Sequence, residues 1–137
     1  MDIEQWKTKV LMPLREYVGG ETSSNLQPLL DEQVVELLAA DTDRTQDYVF
    51  ESVKLPEIRG ASELLETLNR YQVPELFRQR GLPDECIVAA EGGSLLALVP
   101  PGHAEPLARA VERLYPERTG AATITCDWRA VTPRMIL

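Results

Sequence analysis

The sequence is short of aromatic residues, histidine, cysteine and positive charge. Its 137 residues include 22 acidic and 14 basic side chains, which gives a formal charge of −8, and only 6% of them are aromatic. Because affinity for a nucleic-acid backbone comes mainly from cation–phosphate contacts, this charge argues against free-standing binding to DNA or RNA. No stretch approaches the ~18 apolar residues of a membrane span, and the first residues do not resemble a signal peptide. We therefore expect a cytoplasmic protein that does not enter a membrane.

The two cysteines and the single histidine limit the possible disulfide, metal-binding and catalytic roles. Cys86 and Cys126 are far apart in the chain, which is typical of reduced, buried thiols in a cytosolic protein rather than of a disulfide framework. His103 follows Pro-Pro-Gly at a predicted helix start. It has no cysteine or aspartate at metal-ligand spacing, so we interpret it as a capping or surface residue rather than a catalyst.

Apolar residues make up 44% of the chain and can fill the core of one domain. Residues 3–18 carry apolar side chains at helical spacing, and residues 27–40 show a second such stripe. We therefore divide the chain into a helical N-terminal extension, residues 1–46, and a core domain, residues 47–137.

The core domain is predicted to alternate strands and helices. Residues 48–53 are rich in β-forming types, and residues 122–128 alternate apolar and polar side chains like a half-buried strand. One helix begins after Ser62 and is interrupted at Val73-Pro74; a later one is stopped by Pro116. With a hairpin between the helices, the order is β–α–β–β–α–β. This order predicts an α+β, ferredoxin-like fold, in which both helices cover one face of an antiparallel four-stranded sheet.

The hairpin consists of two short apolar runs, residues 87–91 and 95–99, around Gly92-Gly93. Glycine adopts the positive φ of a tight hairpin turn without steric cost. The glycines have two possible uses: they let the hairpin backbone approach a nucleotide closely, or they only make the turn.

Three strings in this frame resemble a known family. They are Q-D-Y-V-F-E-S at residues 46–52, K-L-P-E-I-R-G-A-S at residues 54–62, and the Gly-Gly hairpin at residues 87–99. In this order and spacing they resemble the first palm domain of the large, polymerase-like subunit of type III CRISPR effector complexes, a GGDEF-like palm. The resemblance covers roughly residues 46–130.

Active palms of that family have acidic residues directly after the Gly-Gly pair, where they hold divalent ions. This chain has Ser94 and Leu95 there, and two-metal chemistry needs closely placed carboxylates. The family's nuclease domain is built on a His-Asp pair, which is missing because Ala104 follows His103. The resemblance therefore implies the degenerate first palm of a longer subunit, with no catalytic and no metal-binding residue of its own.

The resemblance also suggests nucleotide-binding residues. At the hairpin they are Gly92, Gly93 and Ser94. In the loop before the first core helix they are Lys54, Arg59, Gly60 and Ser62. A helix N-terminus favours anions such as a phosphate of ATP or RNA. The alternative is a surface loop in which Lys54 and Arg59 pair with Glu57.

Carboxylates near strand one and the hairpin invite a second interpretation. Glu51 lies on the predicted strand and Asp47 beside it, and Glu91 precedes the glycines. Because Glu91 comes before the Gly-Gly pair rather than after it, we favour solvated or salt-bridged carboxylates over a metal site.

We therefore expect a degenerate palm that completes a composite ATP site and does not catalyse a reaction alone. The resemblance implies ATP and Mg²⁺ for the parent subunit, which makes cyclic oligoadenylates in antiviral defence. It implies a second palm of the same subunit and other effector subunits as partners, and CRISPR RNA and target RNA indirectly. The alternatives are a stand-alone nucleotide cyclase or polymerase, and a non-enzymatic ligand-binding, RNA-binding or assembly module.

Overall fold

One antiparallel sheet of four strands organises the computed structural model, which describes residues 1–16, 26–43, 63–91, 93–119 and 123–137. In chain order the strands are β1 (Val35–Asp43), β2 (Ile87–Glu91), β3 (Ser94–Val99) and β4 (Thr123–Val131). Their spatial order is β2-β3-β1-β4. This is the arrangement of a split βαβ, ferredoxin-like fold, so the predicted α+β class is confirmed.

The prediction of a helix over residues 27–40 is wrong. Residues Gln27–Leu29 form a single 3₁₀ turn, and residues 35–43 are the central strand β1. β1 pairs with β3 on one side and with β4 on the other, and this tertiary pairing outweighs a leucine spacing that also fits a helix. The sheet therefore begins inside the predicted helical extension. The strand predicted at residues 48–53 lies outside the described residues.

Two helical segments connect the strands. Segment α2 runs over residues 63–79 and includes a π-helical turn at Leu68–Gln72 directly before Pro74. The wider turn accommodates a proline, which lacks an N–H and crowds the carbonyl of the preceding turn. The predicted interruption at Val73-Pro74 therefore takes the form of this π-helical turn, and a second α-helical stretch, Val73–Gln79, follows with Pro74 in its first turn.

Segment α3 (Ala104–Thr119) likewise continues through Pro116, which was predicted to end it. A proline has no N–H, so the carbonyl four residues before it has no donor within the helix. Because Pro116 is exposed, this carbonyl lies on the solvent side of the last turns. Within the described residues, no helix combines the length and apolarity that crossing a membrane requires.

A first helical segment, α1 (residues 3–15), attaches to the sheet next to β2. It also contains a π-helical turn, Lys7–Leu11, before a proline, Pro13. The Trp6 indole donates to the carbonyl of Val34 over 2.6 Å. The Arg15 guanidinium donates to the carbonyls of Glu85 and Ile87 at the start of β2. These hydrogen bonds attach the start of α1 to the segment before β1, and its end to the start of β2.

The hydrophobic core lies between the sheet and helices α2 and α3. Alternate residues of β1 and β3 face it, and the helices contribute matching apolar stripes. The strand residues buried there are Leu38, Ala40, Leu95, Ala97 and Val99; the helix residues are Leu65, Leu68, Val73, Phe77, Leu107, Ala108, Val111, Leu114 and Tyr115. The opposite face of the sheet carries neither α2 nor α3.

Within the described residues, neither cysteine forms a disulfide. Cys86 is fully buried, and burial raises its pKa to about 12. Cys126 is half-buried on β4. The expectation of reduced thiols agrees with this arrangement.

A carboxylate from β1 caps helix α3. Glu36 accepts hydrogen bonds from the backbone N–H groups of Gly102 (2.8 Å) and Ala104 (3.1 Å). It thereby satisfies donors that a helix N-terminus leaves unpaired and places a negative charge at the positive end of the helix dipole.

We predict that Glu36→Ala lowers the free energy of unfolding by about 1–2 kcal/mol, because the capping bonds are lost. Urea denaturation of the purified chain measures this. Glu36→Gln retains an acceptor oxygen and should lose clearly less, and Glu32→Ala on an exposed neighbouring site should be nearly neutral. Equal losses for the alanine and glutamine variants would contradict the capping role.

Candidate functional site

The hairpin between β2 and β3 brings Ser94 opposite Asp41 of β1. The two residues are direct partners in the β1–β3 register, and the Ser94 hydroxyl donates to Oδ1 of Asp41 over 3.0 Å. On the other side of β1, Thr125 of β4 is the register partner of Asp41. All three are exposed. A hydroxyl, a carboxylate and a second hydroxyl therefore form a row across three strands, on the face without helices α2 and α3.

Leu95 points the other way. It is the register partner of Ala40, is only 3% exposed, and packs into the core beneath the helices. Successive side chains of a strand lie on opposite faces. Of the two positions after the Gly-Gly pair, only position 94 faces the site. The core, rather than a lost ligand, accounts for leucine at position 95.

The turn of the hairpin is held from below by β1. Gly93 has φ of 97°, a conformation that residues with a side chain rarely adopt. Its carbonyl accepts two bonds from Thr42, one from the backbone N–H (2.9 Å) and one from the side-chain hydroxyl (2.7 Å). These two hydrogen bonds from Thr42 fix the position of the Gly93 carbonyl and therefore of Ser94, the next residue.

Buried polar groups continue beneath Thr42. The Tyr115 hydroxyl of α3 hydrogen bonds the side chains of Asn69 in α2 and of Thr42. Burial raises the pKa of Tyr115 to about 12, so the phenol keeps its proton throughout the physiological range. The hairpin is thus connected to both helices that cover the sheet.

Away from Asp41, the same face of the sheet is apolar. Leu37, Leu96, Leu98 and Val88 line a shallow cavity of about 320 Å³ together with residues of the chain's two ends. The described strands contain one aromatic residue, Trp128, which lies against the Arg109 guanidinium of α3, 5.8 Å from the ring centroid. An RNA-recognition sheet needs aromatic side chains on its open face for base stacking. This part of the sheet offers none.

Some predicted site residues can be placed and others cannot. Gly93 and Ser94 lie together at the hairpin, next to Asp41. Gly92 and the loop residues Lys54, Arg59, Gly60 and Ser62 lie outside the described residues, as do Asp47 and Glu51. Glu91 is the last residue of β2, and its side chain is likewise outside what the structure describes. In the described ranges, no three histidine, cysteine, aspartate or glutamate side chains come together as metal ligands would.

Asp41 is the site residue that the sequence interpretation missed. It lies near the end of β1, after the run Leu37–Ala40, and falls in the predicted helical extension, directly after the helical stripe of residues 27–40. The available signal was an apolar run followed by Asp-Thr-Asp, a pattern that also fits a buried strand with carboxylates at its end. The leucine spacing hid this signal because it fits a helix as well.

His103 is near the α3 N-terminus, at a distance from this row. Its carbonyl accepts the N–H of Leu107, and among the described residues its Nδ1 has no hydrogen-bond partner. Burial, and then the charge of Arg80, lower its pKa, against the opposing effect of Glu36. Its side chain is half-buried and makes no capping bond to the described residues through Nδ1, and Glu36 accepts the N–H groups at this helix start instead.

Comparisons with known proteins find similarity among solved structures. No family model matches the chain, and no curated protein is similar to it in sequence. The crystal structure of Csm1 in T. onnurineus superimposes with a TM-score of 0.62 and 24% identity, covering 75% of this chain and 16% of Csm1. The Csm1–Csm4 cassette in complex with pppApApA gives 0.64 and 25%, covering 84% of this chain and 17% of that one. The Csm1–Csm4 subcomplex of the type III-A CRISPR-Csm interference complex gives 0.63 and 24%, with the same coverage.

These neighbours confirm the predicted resemblance to the type III CRISPR machinery at the level of the fold. The chain spans about a sixth of the Csm1 chains that it matches. Csm1–Csm4 cassettes have also been solved with AMPPNP, with one ATP and with cA3.

The opposite orientations of Ser94 and Leu95 generate a stability prediction. Ser94→Asp adds an exposed carboxylate and should change the free energy of unfolding by less than about 1 kcal/mol. Leu95→Asp buries a carboxyl group in the core and removes apolar packing, and should cost roughly 3 kcal/mol or more.

Urea denaturation of the two variants and the unmodified chain makes this comparison. Leu95→Ala is the matched control for packing alone, and its loss should lie between the other two. If Leu95→Asp and Ser94→Asp were equally stable, the assignment of these residues to opposite faces would be wrong.

Proposed function

We propose that this chain is a catalytically degenerate palm domain of a type III CRISPR large subunit, and that its β2–β3 hairpin forms one wall of a composite ATP site. The observation that carries the proposal is the pairing of Ser94 with Asp41. A serine hydroxyl occupies the one position after the Gly-Gly pair that faces the site.

The side chains that the structure describes at the hairpin do not make a two-metal centre. Such a centre needs several closely placed carboxylates to hold both cations. Among the described side chains at the hairpin, Asp41 is the one carboxylate, and its partner Ser94 is a neutral hydroxyl that donates its proton to it. Magnesium binds oxygen ligands by charge and near-ideal geometry, and a lone exposed carboxylate provides little of either. We therefore assign no metal-dependent step to this chain.

The chain's own contribution would be to hold and orient a nucleotide. The exposed hydroxyl of Ser94 directly follows the turn, that of Thr125 lies beyond Asp41 on β4, and Gly93 adds no side chain at the turn. The loop residues Lys54, Arg59, Gly60 and Ser62, with Gly92, complete the proposed contacts to phosphate. An active second palm of the same subunit would supply Mg²⁺ and the chemistry that forms cyclic oligoadenylates.

This assignment implies a particular set of partners. They are the second palm and other effector subunits, with CRISPR RNA and target RNA acting through them. The net charge of −8 is compatible with indirect rather than direct RNA contact. The Csm1–Csm4 cassettes among the structural neighbours support such an assembly.

Restoring the second carboxylate should create a metal site. We predict that Ser94→Asp binds Mn²⁺ at least about tenfold more tightly than the unmodified chain, since a second carboxylate at contact distance contributes more than the 1.4 kcal/mol that corresponds to a tenfold change. Titration followed by Mn²⁺ electron paramagnetic resonance measures the two affinities.

Two control variants sharpen the titration. Ser94→Asn has a similar shape without the charge and should bind Mn²⁺ like the unmodified chain. Adding Asp41→Asn to Ser94→Asp should abolish the gain. A gain that survives the loss of Asp41 would show that the new carboxylate acts elsewhere, and would contradict the assigned site.

We also predict that the unmodified chain makes no oligoadenylate when incubated with ATP and Mg²⁺ or Mn²⁺. Mass spectrometry of the products against a no-protein control tests this. Cyclic or linear oligoadenylate that disappears in Asp41→Asn would overturn the degenerate assignment and favour a stand-alone polymerase.

A further inference from the structure

A column of buried polar groups connects the hairpin turn to both core helices. From the top downward it consists of the Gly93 carbonyl, the Thr42 hydroxyl, the Tyr115 hydroxyl and the Asn69 side-chain amide. Thr42, Tyr115 and Asn69 are 7%, 0% and 1% exposed. Polar groups buried this deeply in an apolar core are costly unless they are hydrogen-bonded. Apolar side chains would fill this space at lower cost, which indicates that the hydrogen bonds of the column have a role of their own.

Counting protons gives the direction of the column. It has three contacts: Thr42 to Gly93, Tyr115 to Thr42, and Asn69 to Tyr115. Each hydroxyl has one proton, and the glycine carbonyl has none. If Asn69 faced Tyr115 with its amide oxygen, two protons would have to serve three contacts. If it faces Tyr115 with its NH₂ group, three protons serve three contacts.

The hydrogen bonding of the Asn69 side-chain amide independently indicates the same orientation. In the orientation with Oδ1 towards Tyr115, Nδ2 is buried and has no hydrogen-bond partner among the described residues. An orphaned buried N–H is rarer in proteins than an under-satisfied carbonyl oxygen. Turning the amide by 180° moves the NH₂ group onto Tyr115 and leaves the oxygen in the less costly position. The two ends of an amide have nearly the same shape, so packing does not oppose the turn.

We infer that Asn69, Tyr115 and Thr42 form a one-directional hydrogen-bond chain, Asn69 N–H to Tyr115 O–H to Thr42 O–H to the Gly93 carbonyl, and that they are positioning residues for the hairpin. Each donor in such a chain strengthens the next one. The chain ends on the carbonyl of the residue directly before Ser94. The hairpin's position is then set by α2 and α3 rather than by its own short strands.

The placement of Ser94 by the column does not depend on what the site binds. Its consequence for nucleotide binding rests on the proposed function: a hairpin released from the column should present Ser94 and Asp41 poorly and bind nucleotide more weakly. None of the three column residues touches the nucleotide in this arrangement.

The test uses Tyr115→Phe and Thr42→Val, which each remove one hydroxyl while nearly preserving shape. In Tyr115→Phe, hydrogen exchange of the Thr42 amide, which bonds Gly93, should become roughly five- to tenfold faster than that of Leu38 in the same strand, the factor expected for one weakened hydrogen bond. The ¹⁵N-resolved NH₂ resonances of Asn69 should shift, because the group loses its acceptor. In Thr42→Val the Ser94 amide resonance should move, and Thr42→Ser should restore it.

Leu11→Ala, in α1 and away from the column, is the matched control for general loss of stability. It should accelerate exchange at positions 42 and 38 alike and leave the Ser94 resonance in place. If the column variants behave like Leu11→Ala, or if the Asn69 NH₂ resonances do not respond to Tyr115→Phe, the inference is overturned. Should Tyr115→Phe fail to fold, Thr42→Val and Thr42→Ser provide the same contrast at the other end of the column.

Titration with AMPPNP separates the inference from the proposed function. Weaker binding in Thr42→Val with recovery in Thr42→Ser supports both. Displacement of Ser94 in the spectra, with no AMPPNP binding even to the unmodified chain, supports the column and overturns the nucleotide site. Unchanged spectra with AMPPNP bound equally by all variants overturn the column and leave the nucleotide site standing.

Discussion

The two-sided pairing of β1 is the constraint on which the rest of the structure depends. It is the one strand that bonds both the hairpin strand β3 and the C-terminal strand β4. Its side chains then divide by parity: Leu38, Ala40 and Thr42 face the helices, and Asp41 faces the open side. A shift of one residue in register would exchange these sets and put a carboxylate into the core. Core packing and site geometry are therefore determined by the same register.

This parity also explains why the two residues after the Gly-Gly pair differ in character. Leucine at position 95 fills the core opposite Ala40, and any residue there is selected for packing. Position 94 is free of that demand, so its serine is informative about function. A sheet of this kind serves many functions, and fold alone decides little. Ser94 puts a neutral hydroxyl, rather than a carboxylate, at the outward position.

The helical face and the open face have different tasks. Between sheet and helices, a dry core surrounds one polar column that reaches the hairpin turn. On the open side, a polar row around Asp41 gives way to an apolar surface formed by Leu37, Leu96 and Leu98. The column on the helical side positions the turn, and the polar residues next to the turn, Ser94 and Asp41, are exposed on the open side.

The sequence by itself determined the hairpin, the β-strand with alternating Ile124, Cys126 and Trp128, the helical segments α1, α2 and α3 and the α+β class, because these depend on local signals: turn glycines, period-two and period-3.6 patterns. It also pointed to Ser94 through position after Gly-Gly. Only the tertiary structure decided that residues 35–43 are a central strand, since their leucine spacing fits a helix and a strand equally and pairing on two sides made the choice. Likewise, the hydrogen bond between Ser94 and Asp41 connects residues 53 positions apart in the sequence. No local pattern specifies which strands become neighbours or which side chains meet across them.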